Sequence, residues 1–148
     1  MTAKNKLGLI TRVGATAALA IGLGVAVVPS ASATATAPVV SVTPATGLAD
    51  GTTVALKATG LTPGTVYHVG QCAFVDGGQY GCNKATALDV VADSAGSVNT
   101  KIVVNRTFQA VVGSATTPWG TVDCKVTACQ VGLGSDKGEG GGQAITFS

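Results

Sequence analysis

The chain has 148 residues, of which 46% are apolar and only 11% charged. Nine Lys and Arg against seven Asp and Glu give a formal charge of +2, but Lys4, Lys6 and Arg12 stand at the N-terminus, so beyond residue 33 the balance is six against seven, a net −1. A near-neutral body has no broad positive field for phosphate, which disfavours direct binding of nucleic acid by the protein.

After the basic start comes an apolar run, Val13 to Val28, closed by Pro29 and by Ala31-Ser32-Ala33, a small-x-small cleavage pattern. Residues 1–33 read as a secretory signal cut after Ala33, with Ala35 and the neighbourhood of Ala37 as alternative sites. A membrane anchor is the competing reading, but the run is short for a span and strand-like sequence follows at once. The expectation is a secreted, extracellular domain, 34–148, with no membrane contact once the signal is removed.

Within that domain Val39–Thr43 is a first strand, ended by Pro44 and Gly47, and Thr52–Thr59 alternates apolar and polar residues. Leu61–Gly64 is a turn with Pro63 and Gly64 at its centre, and Thr65–Val75 is the next strand. Ala87–Ala92, Ser97–Val104, Gly120–Lys125, Gln130–Leu133 and Ala144–Phe147 supply the rest. Val112–Pro118 and the glycine-dense Gly132–Gly142 read as loops, and neither has the lysine-hydroxyl ending of a phosphate cradle. Asn105-Arg106-Thr107 is a formal glycosylation sequon, a weak three-residue match. No helical period persists for three turns. Regularly spaced short strands with turn signals predict an all-β sandwich.

All four cysteines (Cys72, Cys82, Cys124, Cys129) lie in the exported part, where an even count reads as two disulfides. Zinc is the rival, but there is no Cys-x-x-Cys and His68 is the only histidine. Strand period two places Val66, His68, Gly70, Cys72 and Phe74 on one face. Asp76-Gly77-Gly78 is a hairpin turn. With Gly77 as pivot, Cys72 opposes Cys82 and Phe74 opposes Tyr80. Opposed residues in an antiparallel pair have Cα atoms ~4.5–5.5 Å apart, within disulfide range. Cys72–Cys82 is thereby selected, leaving Cys124–Cys129 to close a small loop. Phe74 beside Tyr80 is explained either as plain cross-strand packing or as the edge of a slot, in which Gly70 admits a flat ligand to the backbone and the two rings grip it.

Val42–Gly51, Gly70-Gln71-Cys72-Ala73, Trp119–Cys124 and Cys129–Leu133 resemble the neocarzinostatin family of enediyne chromoprotein apoproteins. Thr62–Cys72, Phe108–Gly113 and residues 132–140 resemble one branch of that family more closely. The resemblance runs over essentially the whole exported chain. It implies a seven-stranded immunoglobulin-like Greek-key sandwich with a two-stranded ribbon forming a ligand cleft. It also implies a non-covalently bound enediyne chromophore and no metal. The protein would store and deliver the chromophore as a monomer, and DNA would be the target of the released chromophore. Family disulfides fall on Cys72–Cys82 and Cys124–Cys129. Cleft positions carried over are Gly70, Cys72, Phe74, Tyr80, Cys82, Gln130 and Gly134, with Val112 or Gly113 from the loop before Trp119. Phe74 stands where neocarzinostatin itself has tryptophan, Ala87 where it has phenylalanine and Gly134 where it has serine, so the pocket is expected to be roomier.

Other classes use the same architecture. A Ser-His-Asp hydrolase would need His68, and no Gly-x-Ser-x-Gly surrounds any serine. Asp76, Asp123, Asp136 and Glu139 fall in or near loops, which leaves paired-carboxylate chemistry unsupported. A secreted immunoglobulin-like protein-binding module without chromophore is the other alternative, since fold does not fix function. The expectation is an antibiotic carrier, not an enzyme.

Overall fold

Side-chain alternation sets the strands: in Thr52–Thr59, Val54, Leu56 and Ala58 are buried while Lys57 and Thr59 are exposed. A computed structural model describes residues 36–148, so the signal assigned to 1–33 lies outside the described residues. Ten strands follow one another: β1 (Val39–Thr43), β2 (Thr52–Thr59), β3 (Val66–Val75), β4 (Gln79–Asn83), β5 (Leu88–Val91), β6 (Val98–Val104), β7 (Thr107–Val112), β8 (Thr117–Asp123), β9 (Cys129–Gly134) and β10 (Gly140–Ile145). Among the described residues the only helical element is a 3-10 turn at Asp76–Gly78, and no helix is long and apolar enough to cross a membrane.

One sheet has the order β1-β2-β6, and the other runs β10-β9-β3-β4-β7-β8 with β5 also on β3. β5 pairs with the first half of β3, at Val66 to Val69, and β4 with the second, at Cys72 to Val75. The seven strands β1, β2, β6 and β10, β9, β3, β5 thus form the expected sandwich, and β4 links them to the β7–β8 ribbon. Val54, Leu56 and Ile102 from the first sheet share one core with Tyr67, Val69, Val131 and Leu133 from the second.

Two stretches read as loops keep a turn at their centre but are strand at both ends. Residues 112–118 shrink to a tight turn, because Val112 already pairs with Thr117. Phe108 and Ala110, both buried, carry the period-two signal of β7. A bulge interrupts this ribbon: Ala110 pairs with Gly120 but Val111 with Pro118, leaving Trp119 as the extra residue. Residues 132–142 keep a loop only at 135–139, since Gly132 pairs with Gly142 and Gly134 with Gly140. Gln130–Leu133 is the strand expected here, but glycine hides its partner at 140–143 from sequence reading by offering no side chain to alternate. It is also what lets the strands pair, because a Cβ on Gly132 would stand 2.5 Å from the Gly141 carbonyl oxygen.

Candidate functional site

The two faces of β3 have opposite fates. Tyr67, Val69, Gln71 and Ala73 point into the core and are essentially inaccessible, whereas His68, Gly70, Cys72 and Phe74 point the other way. Register extends this outer face across neighbouring strands. Cys72 is flanked by Gln130 of β9 and Cys82 of β4, and Cys82 in turn by Val111 of β7. One step along, Gly70 lies beside Gly132, which lies beside Gly142. A further step brings His68 beside Gly134 and Asp89, with Gly140 beyond Gly134. The floor is therefore a disulfide followed by a sheet surface of bare backbone.

A cleft of about 1160 Å³ stands on this floor. Small-molecule pockets span about 300–1,000 Å³, so the space suits a large guest. Its walls come from Tyr80, Lys84 and Ala87 on one side, Val111 and the Gly113–Thr116 turn on another, and the β9–β10 turn at the end. The floor has room for a Cβ at Gly70, where it would meet only Cys72 Sγ at 3.7 Å, and in the ribbon-turn wall a Cβ on Gly113 would meet nothing within 4 Å.

Gly70, Cys72, Tyr80, Cys82, Gly113, Gln130 and Gly134 all line this cleft; Phe74 and Val112 do not. The Phe74 ring rests on Tyr80, centroids 4.2 Å apart and tilted by 36°, but it is 56% exposed at the rim. The cause is the reach of β9, whose pairing with β3 stops at Ala73, so no strand flanks Phe74 on that side. Val112 pairs with Gly81, one step out of phase with the Cys82–Val111 row, and therefore faces away. Sequence reasoning missed Val111, Lys84 and the glycines of β10. Val111 was within reach, because it follows from the disulfide register once β7 is recognised.

Both disulfides form as expected, Cys72–Cys82 with Cα atoms 4.0 Å apart and Cys124–Cys129 with 5.4 Å. The second is anchored by buried Gln71, whose Nε2 donates to Cys124 Sγ at 3.3 Å and to the Asn105 carbonyl at 2.6 Å and whose Oε1 accepts the Asn105 N–H at 2.9 Å. The sequon asparagine is itself engaged, its Oδ1 accepting from Asn83 Nδ2 at 3.2 Å.

Charge gathers at one end of the cleft. His68 Nδ1 lies 2.6 Å from Asp89 Oδ1 and Nε2 lies 3.1 Å from Asp136 Oδ1. The bond to Asp89, then that to Asp136, raises the histidine pKa above its usual value. Tyr67 donates to Glu139 at 2.7 Å and accepts the Thr62 N–H at 3.0 Å. Its burial, then the neighbouring Glu139, pushes its pKa up. Lys84 Nζ donates to Thr116 Oγ1 at 3.2 Å, tying the β4–β5 connection to the ribbon turn. His68 meets carboxylates on both nitrogens, so no serine or cysteine nucleophile is activated by it. Among the described residues no cluster of three metal-ligating side chains forms, and every cysteine is in a disulfide.

Known proteins share the sequence and the fold of this chain. Macromomycin of Streptomyces macromomyceticus is 54% identical over 145 residues, covering 98% of this chain and 99% of that one. A solved structure of macromomycin superposes with a TM-score of 0.75 at 62% identity, covering 76% of this chain and all of that one. The antitumor antibiotic C-1027 apoprotein of Streptomyces globisporus is 39% identical over 110 residues, 74% of this chain and 76% of that protein. The model of the neocarzinostatin family matches residues 40–147, and with these relatives it shows that the chain belongs to that family.

Proposed function

We propose that this protein is the secreted apoprotein of an antibiotic chromoprotein, holding an enediyne chromophore non-covalently in the cleft and releasing it near DNA. The observation that carries this reading is the floor of glycine backbone and disulfide, open to a flat guest and free of thiol. A relative named as an antitumor antibiotic apoprotein supports it. When bound, the chromophore supplies the DNA-cleaving chemistry; the protein's own residues supply shelter.

That shelter follows from the lining. Gly70, Gly132 and Gly142 let a planar guest approach the sheet, and Tyr80 offers a ring face, such stacking being worth about 0.5–1.5 kcal/mol. Val111 and Ala87 add apolar walls, and Gln130 presents an amide. Only a thiolate attacks as a sulfur nucleophile, and with both sulfur pairs locked none reaches the site. Water is displaced from the floor when it is covered. With a net charge of −1 after signal removal, the carrier has no broad attraction to DNA that would hold it there once its cargo has left.

Native protein purified from culture medium in the dark and extracted with organic solvent tests this directly. The expected result is an extract containing an enediyne by mass spectrometry, with visible absorption lost from the protein. A colourless native protein with an empty extract would overturn the carrier function.

A further inference from the structure

The end of the cleft beyond the glycine floor is closed by the turn of residues 135–139, of which Ser135, Asp136, Gly138 and Glu139 line the cavity. Two contacts fasten this turn to the sandwich. Glu139 is held by Tyr67 and by Thr62 Oγ1, the latter at 3.0 Å. Asp136 is held by His68, whose other nitrogen is held by Asp89 on β5. A neutral imidazole has one N–H and one bare lone pair. With a carboxylate oxygen on each nitrogen, the neutral ring would set lone pair against lone pair on one side. The arrangement therefore requires an imidazolium bridging β3, β5 and the turn.

We propose that His68 is a pH-operated clasp on the cleft: protonated, it pins the 135–139 turn as an end wall, and on losing its proton it frees Asp136, loosens the wall and shortens the stay of the guest. The consequence for a guest rests on the carrier function proposed above. The charged groups facing His68 are Asp89 from β5 and Asp136 from the turn, while its neighbour on β9 is Gly134. Glu139 is committed to Tyr67 and Thr62, Lys84 to Thr116, and Lys137 lies outside the cleft lining. Because both partners raise the basicity of His68, the clasp is complete below the ordinary histidine value of about 6.5 and is lost as pH rises through the higher folded value. Side-chain exposures of 52% for His68 and 94% for Asp136 mean that solvent screens the pair. The effect is accordingly set at about two- to fivefold, the range of an exposed ion pair.

Amide exchange of the apoprotein, followed by NMR from about pH 5 to 9 together with the His68 ring proton, tests the clasp without any guest. The amides to watch are Ser135, which donates to the Glu139 carbonyl at 2.8 Å, and Gly138, which donates to the Ser135 carbonyl at 2.9 Å. Their protection, corrected for intrinsic rate, should fall about two- to fivefold past the ring's midpoint. It should be independent of pH in His68→Gln, and Asp136→Asn should lower the ring midpoint. Dissociation of 1-pyrenemethanol, a planar neutral probe that does not titrate in this range, should accelerate by the same factor in the wild type alone. A turn indifferent to the ring's titration overturns the clasp and leaves the carrier function standing. A turn that responds while pyrenemethanol binds at no pH supports the clasp and counts against the carrier function.

Discussion

Gly70→Ala separates binding from folding. The residue lies mid-strand with no left-handed φ, and the added methyl carbon would meet only Cys72 Sγ, at 3.7 Å. Replacing glycine where the backbone allows it stabilises by about 0.4–1 kcal/mol through the unfolded chain, so the fold should be unharmed or slightly strengthened. A flat guest, however, would be lifted by roughly 1 Å, and a gap of that size forfeits a quarter to a half of each contact. Some twenty atom pairs at ~0.15 kcal/mol each then lose about 0.8–1.5 kcal/mol, or roughly four- to twelvefold in affinity. Gly132→Ala is the control with the opposite signature. Its Cβ would press on the Gly141 carbonyl at 2.5 Å, so the strand pair must shift and stability should fall by about 1–3 kcal/mol. Urea denaturation of both variants and chromophore retention against dialysis read the two effects. Undiminished retention in Gly70→Ala, or a loss of folding stability there equal to that of Gly132→Ala, would refute the open-floor reasoning.

Three further outcomes are expected. Tyr80→Ala should shorten chromophore retention more than Phe74→Ala does, because Phe74 acts only by buttressing Tyr80, a contact worth about 0.5–1.5 kcal/mol; equal retention times for the two variants would contradict the rim placement. Replacing Cys124 and Cys129 with alanine should cost about 2–3 kcal/mol in chemical denaturation from loop entropy, with further loss where Gln71 meets the sulfur, and an unchanged midpoint would argue against that anchoring. The Asp123 pKa is lowered, first by the Lys125 amide at 2.9 Å and then by Arg106, so its contribution is present above about pH 4 and disappears as pH falls through the depressed value. Asp123→Asn should flatten that acid limb of stability against pH, and an unaltered acid limb would assign it to another carboxylate.

The hairpin was legible because three constraints coincide in a short stretch: a glycine turn, a strand period of two, and two cysteines equidistant from the pivot. Together they placed Cys72 on Cys82 and Phe74 on Tyr80. What the hairpin packs against was not legible. Where β9 stops depends on long-range pairing, and that boundary puts Tyr80 in the cleft and Phe74 at its rim. Gln130–Leu133 was legible as the body of β9, but the first half of β10 was hidden for another reason, since a run of glycines carries no periodicity even when every second residue faces a cavity. Phe108 and Ala110 did carry a signal, but Gln109 and the bulge at Trp119 leave it too short to stand out. The His68 bridge joins residues 21 and 68 positions apart along the chain, a separation at which no local pattern operates.

The sharing of one edge of β3 between two partners has a mechanical consequence. Since β5 covers the first half and β4 the second, the arm of β4, β7 and β8 is zipped to the rest along only part of one strand. Cooperative units that open separately tend to follow such seams. Both disulfides cross this one, Cys72–Cys82 from β3 to β4 and Cys124–Cys129 from the end of β8 to β9, so the narrow junction is held covalently where backbone pairing runs out.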